Sequence, residues 1–289
     1  MSESALFWLD KASRARVTVI GEPIMDKYTY VMPLGKSTKD NIVTFAPLGT
    51  EMWRGGGWIV TENVRTFVSA VGYRDADVRP VLKTRYVEKS FTTKLFSLLE
   101  DAVVSERVNK PLIEGSDIIL VADYGHGLLR DAAIQELTSR ATFIALTVQS
   151  NSANWGFNLL TKWHRADYVV VDQNELRLAC HDQYGTIDKL ARQQHERLGT
   201  HVFVVTMGHE GCLVLNGQHE RRFEAVADKV VDRMGAGDAF LAATAPLAWI
   251  GAPIDVIGTV GNIAGAIKVG KIGNQPVTRK EVEAWLKKA

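Results

Sequence analysis

The feature that most constrains the fold is a repeated alternation of short apolar runs with longer amphipathic ones. The apolar runs have the uninterrupted character of strands buried on both faces and lie at 17–21, 117–123, 142–148, 167–172 and 201–208. Helical spacing predicts helices at 59–71, 131–140, 174–181 and 187–199, with Gly72 as the C-cap of the first. This order is typical of a mainly parallel sheet with helices on both faces, so we expect an α/β protein.

Two stretches lack this rhythm and predict a small β-sheet. Residues 28–47 and 78–96 alternate polar and apolar side chains with no helix between them, as half-exposed strands do. The length of 289 residues fits either one large domain or two of about 150 residues each. No linker or repeat divides the chain, so we expect a single domain over 1–289 that carries this sheet as a lid.

Composition excludes several classes of function. The formal net charge is only +1, which gives no bias toward nucleic acid or an anionic membrane. No apolar run approaches the roughly 18 residues that span a bilayer, and the N-terminus lacks the apolar stretch of a signal peptide. The two cysteines, Cys180 and Cys212, cannot form a disulfide framework. These features predict a cytoplasmic enzyme without nucleic-acid or membrane partners.

The strongest local signal for chemistry lies at 229–240. A strand is expected to end at Asp232, followed by a tight turn at Gly235, Ala236 and Gly237 and a helix that begins near Asp238. Backbone N–H groups of such a turn, together with the positive end of a helix dipole, form an anion site. Asp238 beside that site would repel a phosphate in the ground state. Its position makes sense if it accepts the proton of a hydroxyl that attacks the phosphorus, which predicts a phosphotransferase.

A structural interpretation of the same residues stands beside this one. Short Gly-x-Gly patterns are common in loops, and aspartate is favoured as a helix N-cap. The turn alone does not decide between the two interpretations.

The wider sequence resembles the PfkB/ribokinase family of sugar and nucleoside kinases. DRMGAGDAF at 232–240 is similar to the family's D-T-x-G-A-G-D-x-F stretch, with Arg233 in the place of Thr. Further segments resemble the family in the same order: GEPIMDKY (21–28), RGGGW (54–58), DYGHGLL (123–129), VVTMGHEG (204–211) and GNIAGAIKVGKIG (261–273). The resemblance spans about residues 16–273 and is strongest to the heptose-phosphate-kinase branch.

The resemblance implies a ribokinase-like, three-layer α/β/α fold with a β-sheet lid, and an ATP-dependent carbohydrate kinase. It implies Asp238 as the general base, with Gly235, Ala236 and Gly237 as the anion hole. Nucleotide binding is implied at Thr206, Gly208, Gly211, Asn262 and Gly273. Substrate binding is implied at Asp26, Gly55, Gly56, Lys83 and Arg85. Mg²⁺ is implied at Asp172 and Glu175, and a monovalent cation such as K⁺ beside the anion hole is an option in the family. Lids of this kind pair across a two-fold axis, so a homodimer is expected.

Several of these residues have a plainer explanation. Asp26 is also typical of an Asx turn, and Glu175 of an exposed acid in the first turn of a helix. Lys83 and Arg85 are equally well explained as solvated charges on an exposed strand. The segment 149–158, with Trp155 and Phe157, either lines the pocket or forms a structured loop.

Four departures from the family pattern leave other functions open: Glu22, Ile59, Asp172 and Arg233. Ile59 stands where the family has a sugar-binding Asn, so hydrogen bonding to the substrate is expected to differ. The main hypothesis is transfer of the γ-phosphate of ATP to a hydroxyl of a sugar or sugar phosphate. The alternatives are a nucleoside kinase of the same fold and a catalytically weak protein that binds nucleotides or sugar phosphates.

Overall fold

The computed structural model describes residues 2–74, 79–100, 115–217 and 219–288. Within those ranges the strands are β1 (Arg16–Gly21), β2 (Pro23–Lys36), β3 (Val43–Gly56), β4 (Ala70–Arg74), β5 (Val81–Glu88), β6 (Thr93–Glu100), β7 (Ile118–Asp123), β8 (Ile144–Val148), β9 (Tyr168–Asp172), β10 (Val202–Thr206), β11 (Cys212–Asn216) and β12 (His219–Phe223). The helices are α1 (Ser2–Ala12), α2 (Gly57–Phe67), α3 (Asp131–Arg140), α4 (Gln173–Cys180), α5 (Ile187–Leu198), α6 (Ala236–Trp249), α7 (Ile254–Val269) and α8 (Arg279–Leu286).

The larger sheet has the order β12-β11-β10-β9-β8-β7-β1-β4. The strands β4, β1, β7, β8, β9 and β10 run parallel to one another, and β11 and β12 continue the sheet antiparallel. Side chains are buried on both faces, as the uninterrupted apolar runs predict: in β7, Leu120 packs into one core and Val121 into the other. Helices α1, α2, α6, α7 and α8 cover one face, and α3, α4 and α5 cover the opposite face. The predicted three-layer α/β/α architecture is confirmed.

The smaller sheet has the order β3-β2-β5-β6 and is called the lid below. Its four strands contain most of the predicted stretches 28–47 and 78–96. They also continue beyond both stretches, since the first strand begins at Pro23 and the last ends at Glu100. Asp26 pairs with Lys83 and Tyr28 pairs with Arg85, so these four side chains share one face of the lid. The lid therefore presents charged and aromatic groups on a single face.

Both connections of β2 and β3 to the larger sheet lie at the carboxyl end of β1. Only Glu22 separates β1 from β2, and β3 runs directly into α2. The N–H of Gly57 donates to the carbonyl oxygen of Glu22 at 2.9 Å, which fixes the two connections to each other. The base of the lid is thus held at the edge of the sheet where parallel α/β proteins bind ligands.

Two local predictions are wrong. Gly72 is not a C-cap, because α2 ends at Phe67 and Gly72 lies inside β4, paired with Thr18 of β1. No strand ends at Asp232, since β12 ends at Phe223 and the N–H groups of Val231 and Asp232 both donate to the carbonyl oxygen of Val269. The segment before the turn is therefore held by the end of α7 instead of by a neighbouring strand.

None of the helices in the described part of the chain combines the length and apolar character needed to cross a membrane.

Candidate active site

A tight turn at Gly235 leads directly into α6. Gly235 is the N-cap residue and has φ of 75°, a left-handed conformation that favours glycine. The helix begins at Ala236, slightly earlier than predicted, so Gly237 and Asp238 lie in its first turn. The first N–H groups of a helix have no partner within it and form an anion site with the helix dipole. The predicted anion hole therefore coincides with a helix N-terminus.

The carboxyl group of Asp238 lies beside this turn and accepts a hydrogen bond at Oδ1 from the hydroxyl of Tyr124, at 3.0 Å. Burial raises the pKa of Asp238 to about 6, while the Tyr124 hydrogen bond and the charge of Lys268 oppose the rise and the charge of Asp26 adds to it. Because Asp238 is the third residue of α6 and not its N-cap, the capping interpretation of this aspartate is wrong. A carboxyl group with this pKa is ionised at neutral pH and accepts a proton readily.

The backbone of Tyr124 is held by Glu22, one of the four residues that depart from the family pattern. The Glu22 carboxylate is fully buried and accepts hydrogen bonds from the N–H groups of Tyr124 at 3.0 Å and His126 at 3.1 Å. Burial raises the pKa of Glu22 to about 7, and the neighbouring charge of Asp123 adds to the rise. Glu22 therefore fixes the loop after β7 and, through it, the hydroxyl that orients Asp238.

Asp26 lies on the lid, with both carboxylate oxygens engaged. Arg85 Nη1 donates to Oδ1, and Asn274 Nδ2 donates to Oδ2 at 2.6 Å. Gly55 is required beside it, since a Cβ there would come within 2.5 Å of Oδ2. Gly56 ends β3 and is the N-cap of α2. Asp26 is a strand residue and Arg85 is buried, so an Asx turn and a solvated Arg85 are both wrong.

Lys83 lies next to this pair and has no salt bridge to any carboxylate among the described residues. It is partly buried, and burial lowers its pKa, as do the charges of Arg85 and Lys94, while Asp26 opposes the shift. Arg85 is already paired with Asp26 and Lys94 with Asp232, so Lys83 is the cation beside Asp26 on this face of the lid that has no carboxylate partner among the described residues.

The lid contacts the turn before α6 through Asp232. The Asp232 carboxylate accepts hydrogen bonds from Tyr28 at 3.0 Å and Lys94 at 2.8 Å, and the N–H of Met234 donates to it at 3.2 Å. Burial alone would raise the pKa of Asp232. The hydrogen bonds from Lys94, Met234 and Tyr28 and the positive charge of Lys94 outweigh burial and lower this pKa. This aspartate therefore joins the Gly235 turn to the lid.

Two of the five predicted nucleotide residues, Gly211 and Asn262, contact the chain at the end of β12, and Thr206 and Gly208 lie just before Gly211 in sequence. Thr206 ends β10, and Gly208 and Gly211 lie in the turn that follows, where a Cβ at Gly211 would meet the Phe223 carbonyl oxygen at 1.8 Å. Asn262 of α7 donates to the carbonyl oxygen of Glu224 at 3.0 Å.

The fifth predicted nucleotide residue, Gly273, lies elsewhere. It contacts the lid residue Trp53, and its carbonyl oxygen accepts a hydrogen bond from Lys268 at 2.7 Å. Gly273 therefore belongs to the junction between the lid and the end of α7.

Asp172 and Glu175 lie at the carboxyl end of β9 and form a capping box on α4. Asp172 Oδ1 accepts from the N–H of Asn174 at 2.7 Å, and Glu175 Oε2 accepts from the N–H of Asp172 at 2.9 Å. Glu175 is half-buried and is therefore not an exposed acid. Burial raises its pKa to about 8, and the charges of Asp172 and Asp238 contribute. No group of three or more potential metal ligands occurs in the described ranges. The pair nevertheless fits a divalent cation held partly through water, since a nearby positive charge would stabilise both carboxylates.

The remaining residues selected from the sequence lie in the segment 149–158, in α2 and before the Gly235 turn. The segment 149–158 is tied to the loop after β7, where Asn154 Nδ2 donates to the carbonyl oxygen of Tyr124 at 2.8 Å. Its two aromatic residues, Trp155 and Phe157, are 60% and 90% exposed. Ile59 is buried within α2, and Arg233 is exposed.

Four residues of the site were not selected from the sequence: Tyr124, Lys94, Lys268 and Asn274. Tyr124 lies within the segment 123–129 that resembles the family, so that similarity provided a signal for it. Asn274 lies 248 positions from its partner Asp26, Lys94 lies in the stretch 78–96 that predicts the lid, and Lys268 lies in the family-like segment 261–273, but neither pattern indicates a contact of these lysines with the site. Only the folded chain brings these three to the site.

The family model for pfkB family carbohydrate kinases matches residues 71–281, well over half of the chain. The chain belongs to this family. The enzyme class predicted from the sequence, a carbohydrate kinase, is confirmed at this level.

Two curated relatives are both named Bifunctional protein HldE. The protein of Methylobacillus flagellatus is 30% identical over 194 residues, which cover 65% of this chain and 38% of that protein. The protein of Hyphomonas neptunium is 26% identical over 317 residues, which cover 96% of this chain and 65% of that protein. The chain spans less than two thirds of the length of either relative.

Solved structures confirm the fold. The ribokinase of Thermotoga maritima has a TM-score of 0.72 and 20% identity, over 94% of this chain and 99% of that chain. Phosphofructokinase-2 of Escherichia coli, solved with fructose-6-phosphate and separately with potassium, has a TM-score of 0.70 and 12% to 13% identity over 94% and 99% of the two chains.

Proposed function

We propose that this family member transfers the γ-phosphate of ATP to a hydroxyl group of a sugar phosphate. The observation that supports this most directly is the position of the Asp238 carboxyl group, in the first turn of α6 and beside the Gly235 turn. Tyr28 and Lys94 of the lid contact Asp232 just before the same turn, so the lid faces the phosphoryl site.

In the proposed reaction Asp238 accepts the proton of the acceptor hydroxyl. The hydroxyl oxygen forms a bond to the γ-phosphorus as the bond to the bridging oxygen of ADP breaks. The hydrogen bond from Tyr124 orients the carboxylate and leaves Oδ2 for the hydroxyl. The N–H groups at the start of α6 stabilise the charge on the transferred group. The lid excludes water, which would otherwise accept the phosphoryl group.

A phosphorylated acceptor is favoured by the charges on the lid. Lys83 is partly buried and lacks a carboxylate partner among the described residues, whereas the neighbouring Arg85 is neutralised by Asp26. An anionic group on the substrate would supply the missing partner. Phosphofructokinase-2 of Escherichia coli, solved with fructose-6-phosphate, is a structural neighbour that binds such a compound.

We propose that Asp172 and Glu175 hold Mg²⁺ through water and that Thr206, Gly208, Gly211 and Asn262 hold the nucleotide. When bound, Mg²⁺ would neutralise charge on the ATP phosphates. The raised pKa of Glu175 favours this assignment, because a cation would stabilise its ionised form.

We also propose a homodimer formed through the outer face of the lid and a location in the cytoplasm. Met52, Phe96 and Leu98 are exposed on that outer face, because they pair with Lys27, Tyr86 and Thr84, which alternate with the residues on the Asp26 face. A patch of this kind is typical of an interface. Cys180 and Cys212 are both free thiols, which fits a reducing compartment.

A nucleoside kinase is the second candidate, because Trp155 and Phe157 are exposed aromatic residues that would stack on a base. The test measures ADP release from ATP and Mg²⁺ over a panel of sugars, matched sugar phosphates and nucleosides. We expect turnover with one or more sugar phosphates and at least tenfold less with the matched neutral sugars. Turnover with nucleosides alone would favour the second candidate. ATP binding without turnover on any acceptor would favour a binding protein.

A further inference from the structure

Lys268 is a fully buried lysine next to the phosphoryl site. It lies in the last turn of α7, and its Nζ donates to the carbonyl oxygen of Gly273 at 2.7 Å. Among the described residues it forms no salt bridge within 4.0 Å, so none of its three N–H donors has a carboxylate partner at that distance. A buried ammonium group without an ion-pair partner is costly and calls for an explanation.

The side chain reaches the Gly235 turn from the side of α7. A Cβ added at Gly235 would lie 3.1 Å from Lys268 Cε, 3.8 Å from Nζ and 4.0 Å from Asp238 Oδ2. The chain before the turn is bound to the same end of α7, because Val231 and Asp232 both donate to the carbonyl oxygen of Val269. The lysine charge and the turn are thus held in a fixed relation.

The surroundings favour a positive charge at this point. Burial lowers the pKa of Lys268, and the carboxylates of Asp232 and Asp238 oppose that shift. The C-terminal end of α7 and the Gly273 carbonyl oxygen also present negative charge. These groups are the ones that a bound cation would otherwise contact.

We propose that the Lys268 ammonium group is a built-in cation for the anion hole and makes a monovalent metal ion unnecessary in this kinase. The inference rests on the proposed function. The family resemblance allows K⁺ beside the anion hole, and phosphofructokinase-2 of Escherichia coli has been solved with potassium. In this chain the α7 side of the turn is already filled by a covalently attached positive charge. Lys268 is therefore a positioning residue that holds the turn and stabilises charge on the transferred phosphoryl group.

The first test uses the unmodified protein and needs no substrate. Its melting temperature is compared in KCl, NaCl and choline chloride at one ionic strength, and crystals are soaked in RbCl to detect an anomalous peak near Gly273. We expect equal melting temperatures and no peak beside the Gly235 turn. A selective rise in melting temperature with K⁺, together with a Rb⁺ peak at this position, would overturn the proposal even if no substrate had been found.

The second test compares two variants of Lys268. Lys268→Ala removes the charge and leaves space, whereas Lys268→Met removes the charge and fills the space. We expect both to lose activity by about 10²- to 10³-fold in choline chloride, the size typical of losing one electrostatic group at an anion hole. K⁺ or NH₄⁺ should restore Lys268→Ala several-fold and leave Lys268→Met unchanged, because only the alanine variant has room for an ion.

Lys271→Met is the matched control. Lys271 lies three residues further along, and its Nζ contacts the carbonyl oxygen of Pro276 and the carboxylate of Glu281. We expect near-normal activity with no salt preference. Full activity of Lys268→Met in choline chloride would overturn the proposal. So would equal activity of Lys268→Ala in KCl, NaCl and choline chloride. If a variant fails to fold, the ion-binding measurements on the unmodified protein still decide.

Discussion

The two ends of the proposed site use different chemical groups: backbone N–H groups at the phosphoryl end and side chains at the acceptor end. The phosphoryl end consists of backbone N–H groups at the start of α6, and this helix is packed almost entirely within the core of the larger sheet. The proposed acceptor end consists of side chains on the lid, with Asp26, Lys83 and Arg85 on one face and the exposed Met52, Phe96 and Leu98 on the other. Backbone groups recognise a phosphate in any sequence that makes the turn, whereas side chains set the acceptor. We therefore expect substitutions on the lid to change acceptor choice more than phosphoryl transfer.

The largest expected effect is at the phosphoryl end. Asp238→Asn keeps the shape of the side chain and removes its capacity to accept a proton. We expect kcat to fall by about 10²- to 10⁴-fold, the range for a general base, with ATP affinity within about threefold. Asp255→Asn, at the exposed ion pair with Arg221, is the control and should be near normal. A loss below fivefold in Asp238→Asn would remove the distinction between the two ends.

At the acceptor end, Lys83→Met should weaken binding of the phosphorylated acceptor. Removing one charge-assisted contact is expected to raise its KM by about 10- to 30-fold and to leave the KM for ATP unchanged. Lys27→Met is the matched control, because Lys27 follows Asp26 in β2 and faces the opposite side of the lid. Equal effects on the two KM values would mean that Lys83 serves the whole site.

The link between Tyr124 and Asp238 predicts a shift in pH dependence. With the pKa of Asp238 at about 6, kcat/KM should rise with pH through about 6 and level off above it. The Tyr124 hydroxyl stabilises the ionised carboxylate, so Tyr124→Phe should raise this pKa and move the acid limb upward by about one pH unit. The activity loss should accordingly be larger at pH 6 than at pH 8.

Tyr30→Phe is the control for that experiment, since its hydroxyl contacts Glu51 on the exposed lid at 2.9 Å. An acid limb that stays in place in Tyr124→Phe, or moves to lower pH, would contradict the assigned hydrogen bond.

The smallest effect is expected where the two ends meet. Lys94 pairs with Asp232 at 2.8 Å but is 40% exposed, so the contact is worth no more than about 1 kcal/mol. Lys94→Met should raise the KM for the acceptor by about two- to fivefold and leave kcat nearly unchanged, with Lys89→Met as the exposed lid control. A large loss of kcat would mean that the lid contact takes part in phosphoryl transfer.

The residues of the proposed phosphoryl end were easier to select from the sequence than those of the proposed acceptor end, for a physical reason. A turn followed by a helix is encoded within consecutive residues, so Gly235 and Asp238 were found together. The one local error there was the strand expected before Asp232, because that segment is held by Val269 of α7. The layers of the fold were predictable for the same reason, since apolar periodicity is local.

The acceptor end depends on contacts between distant parts of the chain. Asp26 was selected, but its partner Asn274 was not, since nothing in the sequence near Asn274 indicates a contact with β2. Lys268 lies in an apolar helix, and the family-like segment 261–273 that contains it gives this lysine no role of its own. Such residues are recognised only after the sheet, the lid and α7 have been brought together.

The most direct test of the central account is a single-turnover experiment with ATP labelled in the γ-phosphate, enzyme in excess and the best sugar phosphate acceptor. The unmodified protein should transfer the label to the acceptor within one turnover. Asp238→Asn should bind the same ATP and transfer at least a hundredfold more slowly. Transfer by Asp238→Asn at the normal rate would contradict the account.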